Sequence, residues 1–483
     1  MTYLGVDIGT SGLRALLVDQ AGQPIGSAEH AYATSHPHDG WSEQDPAAWI
    51  TALEDTIAQL RAAHPEFADL KGIGVAGHMH GATLLDENDR VLRPCILWND
   101  TRSHAEAAAL DAQPTFRGIS GNIVFPGFTA PKLDWVRHNE PDIFARTAKV
   151  LLPAAFMNLY LIGAHVSDMS DSSGTSWLDV AARRWSDTLI DQSHMRLDQM
   201  PALVEGSEAA GALRPDLCEK WGLKHPVTIA GGAGDNAAAA CGMGALKDGQ
   251  GFVSLGTSGV LLLARNRFAP APDTALHTFC HAVPGRWYQM GVMLSAADSL
   301  AWLSSLTGTP PDTLTNDLGT DVRQPGAVQF LPYLSGERTP HNDANIRAGF
   351  SGISRTTTRD DMTHAVLSGV CFGLRDSLEA ITATGGQFSR LYAIGGGSAS
   401  RYWLRLLATV LNTPLAIPDG REFGAALGAA RLGIAAATDD RIEYVMRPPD
   451  IAEIIHPDDS LIVAYDAAYR RFRDTYPILK SIP

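Results

Sequence analysis

Gly5-Val6-Asp7-Ile8-Gly9-Thr10-Ser11-Gly12 opens the chain and leads into the mostly apolar run Leu13 to Val18. About half the chain later, Phe252-Val253-Ser254-Leu255-Gly256-Thr257-Ser258-Gly259 leads into Val260 to Ala264. Each copy is a β-rich run, a Gly-Thr-Ser-Gly turn and a second β-rich run, which is the pattern of a hairpin. One such tetrapeptide says little. Two in the same setting, each opening one half, predict a duplicated domain.

Outward from these turns, helical and strand patterns alternate. Trp49, Leu53, Ile57 and Leu60 recur at helical spacing within 45–63, and Gly72 to Gly77 follows as a buried strand. In the second half, 360–383 reads as a long helix, 391–394 as a strand, and 400–411 and 424–434 as further helices. Alternation of this kind predicts an α/β fold whose opening hairpins extend largely parallel sheets. Lys247-Asp248-Gly249-Gln250-Gly251 interrupts the pattern and marks the expected boundary. The expected domains are 1–246, 247–440 and a helical C-terminal appendage over 441–483.

The 483 residues are 45% apolar and 19% charged, a composition able to build sizeable cores. A formal charge of -15 disfavours nucleic acid and anionic membranes as partners. The apolar stretch Val150 to Val166 is broken by Pro153, Asn158 and Gly163 and is too short for a membrane helix. No signal-peptide pattern leads the chain, and the five cysteines are scattered with no Cys-x-x-Cys pair. A cytoplasmic protein is expected.

The Gly-Thr-Ser-Gly turns expose backbone amides and hydroxyls suited to phosphate oxygens. That makes Gly9, Thr10, Ser11, Gly256 and Thr257 candidate phosphate ligands. No Gly-Lys dipeptide exists, so no Walker A motif competes. Gly72-Ile73-Gly74-Val75-Ala76-Gly77 matches the three-glycine dinucleotide spacing, but it lies within a strand and not after one. Asp7 sits between apolar neighbours two residues before a turn, where a metal would satisfy its carboxylate. Asp235, in the loop before a helix expected to start at Ala237, is placed either to face a cleft or to cap that helix. His78-Met79-His80-Gly81 and Trp98-Asn99-Asp100 follow strands, where open α/β sheets bind ligands. Gly395-Gly396-Gly397-Ser398 lets backbone approach a flat ligand such as adenosine.

These segments together resemble the FGGY family of carbohydrate kinases. The resemblance extends through Trp41-Ser42-Glu43-Gln44-Asp45-Pro46, 126–132, Gly234-Asp235-Asn236, 331–340 and 425–430. The Met-His-Gly and Trp-Asn-Asp segments are similar to its xylulokinase branch. It implies two actin-like, ribonuclease H-like domains with a cleft between them, and transfer of phosphate from ATP to D-xylulose with Mg²⁺. Asp235 would then be the general base, and Asp7 with Asp235 would hold the metal. Met79, His80, Asp235, Asn236, Trp98 and Asn99 would contact the sugar. Gly396 and Gly397 would border the adenosine, and a homodimer is suggested. The chain departs from the family at Ala154-Ala155, where many relatives carry Lys-Asp, which leaves the exact substrate open. Alternatives are a kinase of the same family for ribulose, glycerol or gluconate, a metal-dependent hydrolase using His78 and His80, and a non-catalytic sugar sensor.

Overall fold

The computed structural model describes residues 1–419 and 424–482. The expected domain spans 247–440 and 441–483 thus include residues 420–423 and 483, which lie outside the described residues. Two large sheets organise the chain, and their strands are numbered here in chain order. The first holds β1 (Thr2–Ile8), β2 (Gly12–Asp19), β3 (Pro24–Ala31), β4 (Leu70–Gly77), β5 (Ala209–Ala212) and β6 (Thr228–Ala230), with Ala233–Gly234 as a short seventh strand beside β4. The second holds β7 (Gln250–Leu255), β8 (Gly259–Arg265), β9 (His277–Cys280), β10 (Trp287–Met293), β11 (Arg390–Ile394), β12 (Leu415–Pro418) and β13 (Ile451–Ile455).

The strand orders are β5-β6-β4-β1-β2-β3 and β9-β10-β8-β7-β11-β12-β13. Aligning β1 with β7 matches the six strands of the first order to strands of the second and leaves only β9, at its edge, without a counterpart. In each, an antiparallel hairpin carries the Gly-Thr-Ser-Gly turn, the first strand pairs in parallel with a central strand, and an antiparallel strand closes the far edge. The duplication read from two tetrapeptides therefore extends to whole sheets. Both are mixed, with the parallel pairs confined to their centres.

The main helices are α1 (Pro46–Ala63), α2 (Asp235–Gly242), α3 (Ala297–Thr307), α4 (Arg359–Ala383), α5 (Arg401–Leu411), α6 (Gly424–Ala437) and α7 (Ile462–Lys480). Asp45 caps α1 by accepting from the Ala47 amide, and Trp49, Leu53, Ile57 and Leu60 are buried as their spacing predicts. The apolar stretch near residue 150 is a short strand followed by the helix Pro153–Ile162. Among the described residues no helix is long and apolar enough to cross a membrane.

Packing at the seam explains the glycine-rich strand β4. A Cβ added to Gly5 would stand 1.9 Å from the Ala426 carbonyl oxygen, and one added to Gly74 would stand 1.9 Å from that of Ala429. Gly72 meets Gly433 in the same way, at 2.4 Å. The three-glycine pattern thus gives α6, from the second half of the chain, a flat surface on the first sheet. On its other side Gly428 faces the backbone of α2, where a Cβ would lie 1.7 Å from the Ala238 carbonyl. One apolar cluster then joins Tyr3, Leu16 and Val18 of the first sheet to Phe252, Leu262, Tyr288 and Tyr392 of the second through α2 and α6.

Overpacking at this contact cannot be absorbed by rotating a flexible side chain, because the opposing atoms are backbone. Gly74→Val is expected to destabilise the protein by upward of about 2 kcal/mol. Gly285→Val, where a Cβ meets nothing within 4 Å but φ is positive, should cost less. Denaturant midpoints of the two variants would check this, and equal effects would contradict the role given to the seam.

Candidate active site

The first turn is held by its carbonyls. Gly9 O accepts from Tyr32 Oη at 2.6 Å, Thr10 O accepts from Gln44 Nε2 at 2.6 Å, and Ser11 O accepts from the Tyr32 amide at 3.2 Å. Trp49 Nε1 donates to Gln44 Oε1 at 3.0 Å, so α1 steadies the glutamine that steadies the turn. The second turn follows the same logic with a helix end. The amides of Ala296 and Ala297, at the start of α3, donate to Thr257 O and Gly256 O at 2.8 Å each. Among the described residues, the amides of Thr10, Ser11, Thr257 and Ser258 donate to no protein acceptor. Each turn therefore presents donors that a phosphate oxygen could fill.

Asp7 and Asp235 lie near each other beside the first turn. Burial raises the Asp7 carboxyl to about 7, and the negative charge of Asp235 adds to the rise against a lowering by Arg14. Asp235 is raised to about 6 by burial, opposed by hydrogen bonds from the Asn236 amide (2.7 Å) and side chain (2.9 Å). Among the described residues neither carboxylate has a Lys or Arg nitrogen within 4.0 Å; Arg14 itself pairs with Glu29. Two poorly solvated acids without a protein cation are a donor set that suits a hard divalent ion completed by water and phosphate oxygens. The helix begins at Asp235, two residues earlier than its sequence suggests, and Gly234 occupies the cap position. Asp235 is thus free of the capping role that its sequence position also allowed.

Met79 and His80 follow β4. A Cβ on Gly234 would lie 2.7 Å from Met79 Cγ, and one on Gly174 would lie 2.3 Å from His80 Nδ1, so both seats depend on missing side chains. His80 takes a left-handed φ of 71°. Its carbonyl accepts from Lys132 Nζ at 2.8 Å and from Thr129 Oγ1 at 3.2 Å. Lys132 also donates to Ile96 O at 3.2 Å, and burial lowers its amine to about 7. His80 Nδ1 lies 2.7 Å from Gly174 O, while burial lowers the ring to about 3. A neutral imidazole that donates from Nδ1 presents Nε2 as an acceptor for a hydroxyl.

His78 points elsewhere. Its ring packs edge-on against Trp49 at 5.6 Å, and neither ring nitrogen has a protein partner. Among the described residues no group of three or more His, Cys, Asp or Glu side chains is placed to hold a metal. The hydrolase alternative therefore lacks the ligand set it requires.

The Trp98-Asn99-Asp100 segment divides into three roles. Trp98 Nε1 donates to Thr10 Oγ1 at 3.0 Å, linking this loop to the first turn. Asn99 is exposed and borders a surface groove with His36, His38 and Trp41. Asp100 is buried and accepts from the Ser42 amide and the Arg102 guanidinium, in a network with Glu43 and Arg93. It anchors the loop. Gly396 and Gly397 border a cleft of about 490 Å³ with Asp312, Asn316, Ser400 and Trp403. That cleft adjoins the second turn, because Ser254 of β7 pairs with Ile394 just before the glycines.

Sequence reading gave no role to Lys132 or to Gln44, although both lie in segments that carried the family resemblance. It missed Asp171 altogether. This residue is fully buried, neither carboxylate oxygen has a protein partner, and burial with nearby Asp168 and Asp235 pushes its carboxyl well up. Of the pair Ala154-Ala155, Ala154 is buried against Gly77 at the end of β4, and Ala155 packs with Leu85, Leu151 and Leu159.

Comparison with known proteins decides the family. The model of the FGGY family of carbohydrate kinases matches with its N-terminal domain over residues 2–242 and its C-terminal domain over residues 251–437. The chain belongs to the FGGY family of carbohydrate kinases. This FGGY kinase is 43% identical to the xylulose kinase of Escherichia coli (strain K12) over 479 residues, covering 98% of each chain. It is 57% identical to a xyloylose kinase from Brucella ovis whose crystal structure matches with a TM-score of 0.98 over 100% of both chains. A xylulose kinase from Rhodospirillum rubrum matches at 28% identity with a TM-score of 0.92, covering 99% of each chain.

The raised carboxyl of Asp235 fixes a sign for stability. A carboxyl at about 6 in the folded protein against 3.8 when unfolded binds more protons in the folded state between those values. Its contribution to stability is therefore lost as pH rises from about 4 to about 6, and stays lost above that. In chelator-containing buffer, Asp235→Asn should melt near the parent at pH 4 and above it from pH 6 to 8. A variant that melts below its parent at pH 8 would contradict the burial of an unpaired charge.

Proposed function

We propose that this FGGY kinase transfers the γ-phosphoryl group of ATP to the terminal hydroxyl of D-xylulose, giving D-xylulose 5-phosphate. The observation that carries the reading is that β1 and the short strand Ala233–Gly234 flank the end of β4, which brings Asp7 and Asp235 to the same sheet edge as a turn whose Thr10 and Ser11 amides lack protein acceptors. The full-length similarity to proteins named xylulose kinase supports the choice of sugar.

Asp235 accepts the proton of the sugar's terminal hydroxyl as the oxygen attacks phosphorus. A carboxyl near 6 is ionised at neutral pH and still basic enough to serve. Met79 supplies an apolar wall beside Asp235, and the His80 Nε2 acceptor takes a sugar hydroxyl. Asn236 and Trp98 border the same space, while Asn99 acts at its outer edge. Amides of the Gly9-Thr10-Ser11 and Gly256-Thr257 turns hold the phosphates, and Gly396 and Gly397 border the adenosine. Asp7 and Asp235 would hold Mg²⁺, which neutralises phosphate charge as the transferred group loosens from ADP. In this reading 1–246 binds the sugar, 247–440 binds the nucleotide, and 441–483 is an appendage. Closing the two sides together keeps water from competing with the sugar for the phosphoryl group.

Asp235→Ala is expected to remain folded and to lose about 10²–10⁴ in kcat, the usual contribution of a positioned general base. The check is ADP release across D-xylulose, L-xylulose, D-ribulose, L-ribulose, glycerol and gluconate. Preference for D-xylulose with loss in the variant supports the assignment. Preference for another polyol moves the substrate, with attention to Ala154-Ala155, and near-normal turnover by the variant removes Asp235 as base.

A further inference from the structure

Beyond His80, the sugar side of the site meets a cationic side chain from the other half of the chain. Arg338 lies in the loop Ser335-Gly336-Glu337-Arg338-Thr339-Pro340, fixed from several directions. Glu337 and Asp343 exchange both backbone hydrogen bonds at 2.8 Å, and Glu337 Oε1 accepts from the Leu294 amide at 3.1 Å and the Arg338 amide at 2.7 Å. Thr339 binds Val292 of β10 through its amide and its hydroxyl, each at 3.0 Å. The base of the Arg338 side chain is therefore part of the second sheet's frame.

The guanidinium lies among neutral rings. Its Nη1 is 3.5 Å from His277 Nε2, and its carbon is 5.0 Å from the centroid of Phe125. Phe125 packs on Phe128 at 5.4 Å, and Phe128 stacks on His80 at 4.4 Å. The positive charge disfavours protonation of both His80 and His277. Among the described residues no carboxylate oxygen lies within 4.0 Å of a guanidinium nitrogen of Arg338, although the neighbouring Glu337 carboxylate favours its charge. Met79, Phe125, Phe128, His277, Phe279 and Tyr288 are all buried, and within this cluster His80 and Arg338 alone keep partial exposure. They are the polar edge of an otherwise apolar wall.

A guanidinium held this way loses water, and the Glu337 carboxylate that stabilises its charge makes no ion-pair contact with it, so its N–H groups are short of acceptors. A five-carbon ketose offers them in the right form. With its terminal hydroxyl at Asp235 and a middle hydroxyl on His80 Nε2, its carbonyl end extends beyond His80. A planar fork of N–H donors can bind the carbonyl oxygen together with the neighbouring hydroxyl. We propose that Arg338 is a substrate-binding residue that donates to the carbonyl end of the ketose and selects ketoses over the corresponding alditols. This rests on the sugar kinase reading above and adds the group that recognises the carbonyl.

The test compares kcat/KM for D-xylulose with kcat/KM for xylitol and D-arabinitol, the alditols formed by reducing its carbonyl. Loss of a charged donor to a specific acceptor is expected to lower the ketose value by about 10–100-fold in Arg338→Met. The alditol values should fall less than about threefold, and KM for ATP should stay within about twofold of the parent. Arg338→Lys, which keeps the charge without the fork, should recover part of the ketose preference. Equal losses for ketose and alditols, or a lysine variant no better than methionine, would overturn the proposal. Parent enzyme silent on D-xylulose but active on another ketose would instead refute the xylulose assignment. The same ratio, taken on that ketose and its alditols, would then decide Arg338. If the only sugar accepted were an aldonate, the guanidinium would be its carboxylate site and the ketose proposal would fail.

Discussion

The contact on which the rest depends is the close backbone approach between α6 and the strands β1 and β4. Gly5, Gly72 and Gly74 on one side, with Gly433 and the carbonyls of Ala426 and Ala429 on the other, leave no room for an added methyl group. Packing this tight fixes the second half of the chain against the first through a helix that lies in sequence between two strands of the second sheet. Once α6 is seated, α2 is seated on it, and Asp235 is carried at the first residue of α2. The neighbourhood of Asp235 and Asp7 is therefore a consequence of how small the residues at the seam are.

That geometry sets the electrostatics. Asp7 is the penultimate residue of an apolar strand and Asp235 begins an alanine-rich helix, so each carboxylate is desolvated by its own surroundings before it meets the other. Among the described residues no Lys or Arg nitrogen lies within 4.0 Å of either carboxylate, and Arg14, which favours the Asp7 charge from farther off, pairs with Glu29. The protein supplies instead two turns whose carbonyls are bound from behind and whose amides are left over, one on each sheet. On the proposed reading a cation and phosphate would satisfy what the fold leaves unsatisfied, and binding of the nucleotide would be coupled to relief of poorly solvated charge.

Much of this was legible in the sequence because it rests on local patterns. The paired Gly-Thr-Ser-Gly turns gave the duplication, and the spacing of Trp49, Leu53, Ile57 and Leu60 gave α1. The strand at Gly72–Gly77 was legible, yet its glycines had a purpose that spacing could not reveal, since their partners lie about 350 residues away in the chain. Asp100 looked like a ligand residue because it follows a strand, but it anchors its loop through Arg102 and Ser42. Asn99 is exposed for the related reason that the loop turns about its buried neighbour. Lys132 and Arg338 are placed by contacts between distant segments, with His80 and Ile96 for the one and His277 and Phe125 for the other, and a single sequence carries no signal of such contacts.

The central claim is that one cleft brings the terminal hydroxyl of the sugar and the phosphates of ATP together at Asp235. A crystal structure with D-xylulose, magnesium and a non-hydrolysable ATP analogue tests it most directly. The account predicts the terminal hydroxyl oxygen within hydrogen-bond reach of the Asp235 carboxylate, about 2.6–3.2 Å, with the phosphates on the Thr10–Ser11 and Thr257–Ser258 amides, since the Gly9 amide is taken by Gly12 O. A sugar bound with that hydroxyl away from Asp235, or phosphates seated on neither turn, would contradict it.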